Sequence, residues 1–454
     1  MSRLLFLLTL LPLLGFSFTC GQPVVEDLPK IELSYWRVFD DEDVFAPVFK
    51  RYSELHPNIS IRYRKFRYDE YEGALLNALA EDRGPDLFSL PDTWMGKFAG
   101  KLLPSPATIT IFDTTREAGP RKRFLVTKKL SAGPTPAAIA SAFVDSVVPT
   151  AIKDNAVLAL PLGVDTLALY ANTDLLAFSG ISSPAKSWEE ILEHVKKLRA
   201  LGKDGAIDQA AIALGGSHNI PRAGDILLTL MLQSGAQLAE LNGNISFDKT
   251  PDGVSTTVSP GAEALRFYTD FANATKPSYT WNDELPNALD LFRAGRLAYL
   301  LGYSYTARDL QLAPKIHWTI NPMPQPQQLL DRNVRIALAN TWFEGVSRKT
   351  KHPNEAWDFL RFLTADEQAN LYLTATKKPA ALRSLLASQS RDPSLGVFAP
   401  QALVSRSWYR GLHAQEMEAA FTRAIDAVNQ GELDPSQAIT RAAQQVQQTL
   451  RSDL

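Results

Sequence analysis

Acidic, amide, hydroxyl and aromatic side chains follow several short apolar runs of this chain. Those singled out by type and position are Asp40, Asp41, Asp92, Trp94, His218, Asn219, Tyr303, Ser304, Tyr305, Asn340 and Trp342. Carboxylates, amides and hydroxyls exchange hydrogen bonds with polar groups, and aromatic rings cover apolar C–H faces. The set is therefore suited to hold a small polar molecule that also has apolar faces.

Several of these residues fit a structural role equally well. Asp92 also suits the N-cap of a helix that contains Trp94, and Tyr303 and Tyr305 also suit a buried core. The other aromatic residues considered are Trp408 and Tyr409, as weaker site candidates, and Trp188 and Trp357, as core residues inside helices.

Motifs for catalysis and for cofactor binding are missing from the sequence. HExxH, GxSxG, GxxxxGK[ST] and GxGxxG do not occur, and the six histidines are scattered, so no cofactor and no metal are expected. The only cysteine, Cys20, excludes intrachain disulfides and thiolate metal sites. A glycosidase that uses paired carboxylates stays open, because such a pair is defined by separation in space and not by spacing along the chain.

Length and charge narrow the classes further. A chain of 454 residues is long enough for two or more lobes. Lys and Arg total 47 against 49 Asp and Glu, which argues against a nucleic-acid partner held by phosphate neutralisation.

The N-terminus predicts export. Residues 1–19 place Arg3 before an apolar run that is too short for a membrane span, as in a signal peptide. Cys20 ends this run and resembles the lipidated cysteine of bacterial lipoproteins, which predicts a membrane anchor there. The alternative is a soluble secreted protein whose leader contains an incidental cysteine.

Strands and helices alternate through the rest of the chain. Alternating apolar residues predict strands near residues 31–35, 59–63 and 87–90, with amphipathic helices between them. This order indicates parallel sheets covered by helices, with ligands expected where loops leave the strand ends. Residues 104–140 are expected to form an irregular basic surface insertion, and 322–328 a crossover between lobes.

Ordered segments along the chain carry a family resemblance. They are Leu33–Trp36, Phe49–Ile59, Gly84–Phe88 with Asp92–Trp94, Leu160–Leu176, Pro184–Leu192 and Phe292–Tyr299. In this order they resemble family 1 of the extracellular solute-binding proteins, the receptors of ABC importers that include the maltose-binding protein.

The resemblance implies an α/β fold of two lobes, the type II periplasmic-binding-protein fold. Each lobe would be a mostly parallel sheet flanked by helices, and crossing strands would form the hinge. The implied boundaries are 1–19 for the signal peptide, 20–30 for a tether, 31–163 with 322–350 for the N-terminal lobe, and 164–321 with 351–454 for the C-terminal lobe.

The resemblance also implies a function. The chain would capture a carbohydrate, expected to be an oligosaccharide, by hinge closure, and would deliver it to the transmembrane subunits of an ABC permease. Asp165 lies where the family commonly turns a carboxylate toward the ligand. The protein would be exported, either to the outer face of the membrane through Cys20 or to the periplasm or exterior, and would not be an enzyme.

Three alternatives stay open at this point. One is a secreted carbohydrate-active enzyme with paired carboxylates. Another is a lipoprotein that uses the fold only to dock a partner. A third is the same receptor with another solute, such as a polyamine or a glycerol phosphate.

Overall fold

The structure, a computed structural model, describes residues 28–116, 124–240, 243–253, 257–312 and 316–451. The expected signal peptide and Cys20 lie outside the described residues. Within the described ranges, none of the helices combines the length and the apolar character needed to cross a bilayer.

The strands of the described part are β1 (Ile31–Val38), β2 (Ile59–Phe66), β3 (Leu87–Pro91), β4 (Thr108–Arg116), β5 (Phe124–Ala132), β6 (Ile152–Lys153), β7 (Ala156–Val157), β8 (Ala159–Asp165), β9 (Ala168–Asn172), β10 (Ala200–Leu201), β11 (Ile207–Ile212), β12 (Leu297–Gly302), β13 (Trp318–Pro322), β14 (Ala337–Leu338), β15 (Asn340–Val346) and β16 (Ser405–Arg406).

The α-helices are α1 (Ala46–Leu55), α2 (Tyr68–Ala80), α3 (Met95–Phe98), α4 (Pro136–Ala142), α5 (Val148–Ala151), α6 (Thr173–Phe178), α7 (Trp188–Leu198), α8 (Ala223–Gln233), α9 (Pro260–Thr269), α10 (Ala288–Arg293), α11 (Tyr305–Gln311), α12 (Gln327–Asp331), α13 (Pro353–Leu363), α14 (Asp366–Thr376), α15 (Arg383–Gln389), α16 (Phe398–Leu403), α17 (Ala414–Asn429) and α18 (Pro435–Gln448).

The first lobe is built on a five-stranded sheet of order β2-β1-β3-β15-β8. β1 pairs in parallel with β2 and β3, whereas β15 is antiparallel to β3 and β8. Strands covered on both faces are apolar along their whole length. Accordingly β3 is buried throughout, and Glu32 is the one exposed residue of β1.

The second lobe is built on a sheet of order β10-β11-β12-β9-β13. β11 and β12 are parallel, and β9 runs antiparallel to both of its neighbours. All six residues of β12 are buried. Two sheets in two lobes confirm the predicted α/β class. They are mixed and not mostly parallel as expected, because the strands next to the crossings, β8, β9, β13 and β15, all pair antiparallel.

The chain passes between the lobes in short segments. β8 ends at Asp165 and β9 begins at Ala168, so the first crossing takes two residues. The chain returns between β13 and β15, and it crosses again after β16, which pairs with β14.

Three buried glutamines join these crossings. Gln401 donates to the Thr166 hydroxyl at 2.9 Å and accepts from the backbone N–H of Met323 at 2.8 Å. Gln325 bonds backbone groups on both sides of the return segment, and Gln233 donates to one of its carbonyls at 3.0 Å. Because each amide both donates and accepts, this network satisfies backbone groups that no sheet pairs.

Helices of the C-terminal third divide between the lobes. α13 and α14 pack on the first lobe: the Tyr52 hydroxyl donates to Asp358 at 3.2 Å, and the rings of Phe45 and Tyr372 stack with centroids 4.8 Å apart. Residues 353–376 therefore lie with the first lobe, which differs from the predicted boundary at residue 351. α17 and α18 pack on α8 and α9 of the second lobe.

The basic insertion is more regular than the sequence analysis expected. β4 and β5 form an antiparallel hairpin of nine residue pairs that packs on α13. Ile109 and Ile111 are buried, whereas Lys128 and Lys129 are exposed. The expectation of an irregular segment was wrong, because alternate apolar residues of β4 face the body of the protein.

Candidate functional site

A cleft of about 980 Å³ opens between the two sheets. It lies at the ends of β1, β3, β8 and β12, where the sequence analysis expected a ligand site. Both lobes line it. The predicted residues that the structure brings to its walls are Asp40, Asp92, Asp165, Tyr303, Ser304, Tyr305, Asn340 and Trp342, together with Trp408 and Tyr409.

The first-lobe wall carries exposed aromatic rings. Phe39 and Tyr68 stack with centroids 5.8 Å apart, and Trp342 meets Phe39 edge-on at 5.4 Å. Phe39 is 52% exposed and Tyr68 42%. Phe39 also has a φ of 67°, and a left-handed backbone costs a bulky residue roughly 1–2 kcal/mol. The chain thus presents an unburied ring to the cleft at the cost of local strain.

The second-lobe wall combines tyrosines with an ion pair. The Tyr303 hydroxyl donates to Asp225 at 2.6 Å, and the Arg222 guanidinium donates to the same carboxylate oxygen at 2.7 Å. Arg222 has a φ of 61° where α8 begins. Tyr305 is 43% exposed, and its ring centroid lies 5.9 Å from that of Tyr303. One tyrosine is therefore fixed beneath the wall while the other is open to the cleft.

Asp40 lies in a buried charged network behind the first wall. Its carboxylate accepts from Lys378 at 2.8 and 2.9 Å and from the Tyr372 hydroxyl at 2.8 Å, and Arg37 lies 3.8 Å away. Burial by itself raises the pKa of Asp40, but the Lys378 ammonium and the Arg37 guanidinium outweigh it and hold this pKa below the ordinary value. Asp40 is thus ionised and already paired within the protein.

Asp165 and Asp92 are carboxylates near the hinge. Burial raises the pKa of each to about 6. Asp165 accepts from the Ser304 hydroxyl at 2.6 Å and from the Ser304 N–H at 3.0 Å, contacts that partly oppose the effect of burial. Asp92 accepts from the Ser407 hydroxyl at 3.1 Å, and the positive charge of Arg410 partly opposes the rise in the pKa of Asp92.

Four sequence candidates lie outside the cleft lining. Asp41 pairs with Lys65 at the surface, and Trp94 is buried behind Tyr68. His218 is exposed and lies 3.1 Å from Asp426. The Asn219 side chain accepts from Trp281 at 2.8 Å and donates to two backbone carbonyls, so it holds a loop together.

The cleft also contains residues that sequence reasoning missed. Phe39 directly follows β1 and Tyr68 opens the helix after β2, so the strand-end rule applied to every aromatic would have found both. Arg222 and Glu418 gave no such signal, since one precedes a helix and the other lies on the surface of α17. Burial raises the pKa of Glu418, and the nearby Arg222 lowers it in part.

The described residues contain no group of three or more His, Cys, Asp or Glu side chains placed to hold a metal ion.

Residues 48–395 match the family model described as bacterial extracellular solute-binding protein. The chain belongs to this family. The expected membership among extracellular solute-binding proteins is thereby confirmed, and the family consists of exported binding proteins.

Relatives and solved structures agree with this assignment. The protein named Probable ABC transporter-binding protein of Deinococcus radiodurans is 24% identical over 248 residues, 53% of this chain and 56% of that protein. The chain spans about half the length of the curated relatives it matches.

Two solved structures share the fold over almost the whole chain. The cyclic α-maltosyl-1,6-maltose binding protein of Arthrobacter globiformis has a TM-score of 0.71 at 15% identity, covering 93% of this chain and 99% of its own. The sugar-binding protein MalE of Xanthomonas citri has a TM-score of 0.68 at 19% identity, covering 92% and 97%. At these identities the similarity concerns the two-lobe fold, which matches the predicted type II architecture.

Proposed function

We propose that this chain is the substrate-binding component of an ABC import system, and that it captures a carbohydrate in the interlobe cleft. The observation that carries the proposal is the pair of aromatic walls, with Phe39, Tyr68 and Trp342 on one lobe and Tyr305 on the other. Sugars present apolar C–H faces that stack on such rings. A ligand held between the walls contacts both lobes only when they close, so it shifts the chain toward a closed state.

Several charges that line the cleft are already paired within the protein, which supports an uncharged ligand. Asp40 is paired with Lys378, and Arg222 with Asp225. Asp165 accepts hydrogen bonds from Ser304. A fixed ligand charge would have to compete with these pairs, whereas hydroxyl groups can bond to polar groups at their edges.

The size of the cleft supports an oligosaccharide. Its volume of about 980 Å³ is near the upper end of the roughly 300–1,000 Å³ typical of ligand pockets. A structural neighbour with the same fold, a cyclo/maltodextrin-binding protein, was solved with maltotetraose bound. We therefore propose a ligand made of several sugar rings, which the protein then delivers to a membrane permease.

Calorimetry of the full chain with maltooligosaccharides of increasing length tests the proposal. Saturable binding is expected, and Trp342→Ala should weaken it about 30-fold, as the loss of a central aromatic contact does. Phe178→Ala is the matched control, because this ring on α6 is 90% exposed and lies outside the cleft lining.

Two outcomes would contradict the proposal. Binding of spermidine or glycerol 3-phosphate in place of any saccharide would overturn the ligand class. Shortened products after incubation, detected by chromatography, would favour the carbohydrate-active enzyme with paired carboxylates.

The proposal includes export and lipidation at Cys20, supported by the leader sequence and by the extracellular family. Mass spectrometry of the mature protein should show a diacylglyceryl group on an N-terminal Cys20. An unmodified N-terminus downstream of that residue would contradict the anchor and leave a soluble exported receptor.

A further inference from the structure

Two carboxylates at the edge of the first sheet bind serines that belong to segments of the other lobe. Asp165 is the last residue of β8, and Ser304 follows β12 of the second sheet. Asp92 follows β3, and Ser407 follows β16 on the third crossing. Both pairs therefore connect elements that a hinge motion would move relative to each other.

Donors of the protein fill most of the Asp165 carboxylate. Oδ1 accepts from the N–H of Thr166 at 2.8 Å and of Ser304 at 3.2 Å. Oδ2 accepts from the Ser304 N–H at 3.0 Å and from its hydroxyl at 2.6 Å. The Ser304 N–H is shared between the two oxygens, so three donor hydrogens occupy a carboxylate that has about four acceptor positions, and little capacity remains for ligand hydroxyls.

The position of Ser304 explains why this contact acts on the hinge. Gly302 pairs with Ala168 in the second sheet, three residues beyond Asp165. Ser304 thus lies next to the first crossing. It bonds to Asp165 on one side of the two-residue connection, and the Thr166 N–H within the connection bonds to the same carboxylate. Together these bonds restrain the connection.

The Asp92 contact holds the third crossing. The residues after Ser407 are anchored in the second lobe, since Trp408 packs edge-on against Phe421 at 6.1 Å and the Leu412 N–H donates to Thr449 at 2.9 Å. The backbone after Ser407 also lies against α3, where a Cβ on Gly96 would collide with the Arg410 carbonyl oxygen. Asp92 therefore faces a segment that moves with the second lobe but touches the first.

We infer that Asp165 and Asp92 are positioning residues that brace the hinge through Ser304 and Ser407, and that they are not ligand contacts. This inference rests on the proposed function in one respect only, namely that a ligand closes the two lobes over the cleft. The bracing itself exists without ligand. It reverses the expectation from the family resemblance that Asp165 turns its carboxylate toward the sugar.

Interlobe distances in the full chain test the inference. Spin labels at two exposed sites, Glu54→Cys on α1 and Lys197→Cys on α7, report the distance between the two lobes. The substitution Cys20→Ser removes the native thiol from this background. Double electron–electron resonance without ligand should give a broader distribution for Asp165→Asn and for Ser304→Ala than for the parent. The double variant should broaden it no further than the stronger single variant, because both remove one interaction.

Ser304→Thr is the conservative control, since it keeps the hydroxyl and should restore the parent distribution. Asp92→Asn and Ser407→Ala form a second matched pair with the same expectation. Where a saccharide binds, Asp165→Asn and Ser304→Ala should change its affinity by the same factor, because both remove one protein contact that the ligand does not make.

Unchanged distance distributions in both members of a pair would overturn the brace for that pair. A loss of affinity in Asp165→Asn with parent affinity in Ser304→Ala would return Asp165 to the ligand site. Failure to find any saccharide ligand would refute the proposed function alone, because the ligand-free distances still decide the hinge inference.

Discussion

The carboxylate of Glu344 lies fully buried on β15, beneath the cleft wall. It accepts from the Tyr35 hydroxyl at 2.6 Å, from the Ser89 hydroxyl at 3.1 Å and from the Arg37 guanidinium at 3.1 Å. We expect Glu344→Gln to destabilise the first lobe, because a neutral amide keeps the shape of the side chain and removes its charge.

The size of the effect follows from these contacts. Arg37 is itself buried and would keep Asp40, at 3.8 Å, as its nearest paired carboxylate. The amide nitrogen of glutamine would also face a donor, since all three partners of Glu344 donate to it. Removing one partner of a buried ion pair lowers the free energy of unfolding by about 3–5 kcal/mol.

Urea unfolding at neutral pH, followed by tryptophan fluorescence, measures this loss. Glu32→Gln is the matched control, because Glu32 lies on the same sheet but pairs with Arg62 in solvent, with both side chains more than half exposed. That change should alter the free energy of unfolding by less than about 1 kcal/mol. If the free energies of unfolding of Glu344→Gln and Glu32→Gln differ by less than about 1 kcal/mol, the buried network contributes no net stabilisation and the reasoning fails.

Three further predictions concern the cleft and the hinge. Phe39→Gly should leave the melting temperature nearly unchanged, because relief of the positive φ offsets the lost ring contacts, while calorimetry shows weaker saccharide binding; a parent affinity would remove Phe39 from the site. Burial raises the pKa of Asp165 to about 6, above its value of about 3.9 in the unfolded chain. The folded chain then binds more protons between these values, so the free energy of unfolding falls as pH rises through that window. Asp165→Asn should reduce this fall by about 3 kcal/mol in urea titrations from pH 4 to 7, and an identical slope would contradict the raised pKa. Gln401→Leu should lower the free energy of unfolding by about 2–3 kcal/mol, because it leaves the backbone N–H of Met323 without its acceptor and the Leu167 carbonyl without its donor; a neutral result would show that other groups replace the amide.

Local signals in the sequence were sufficient for many elements. Ser187 caps α7 through the N–H of Glu190, and Asp434 caps α18 with Gln437 in a capping box. Pro260 begins α9, a position where its missing N–H leaves no helical bond unmade. Such signals act within one helical turn, so they can be read without knowing the fold.

Partners far along the chain could not be predicted in this way. The placement of α13 with the first lobe depends on contacts such as that of Tyr52 with Asp358, 306 residues apart. The same holds for the cleft: a strand-end position identified Asp40 and the family resemblance identified Asp165, but Lys378 and Ser304, which occupy their carboxylates, are 338 and 139 residues away. Sequence position indicates where a side chain emerges, and only packing decides which group it meets.

The buried amides of Gln233, Gln325 and Gln401 join the crossings without any formal charge. Neutral dipoles neither titrate nor attract counterions at working pH, so acid and salt leave these three amides unchanged and reach the crossings only through charged groups such as Asp165 and Asp92. A change of pH or ionic strength that alters ligand affinity would then report on the charged groups of the cleft and of the hinge, and not on the amide network.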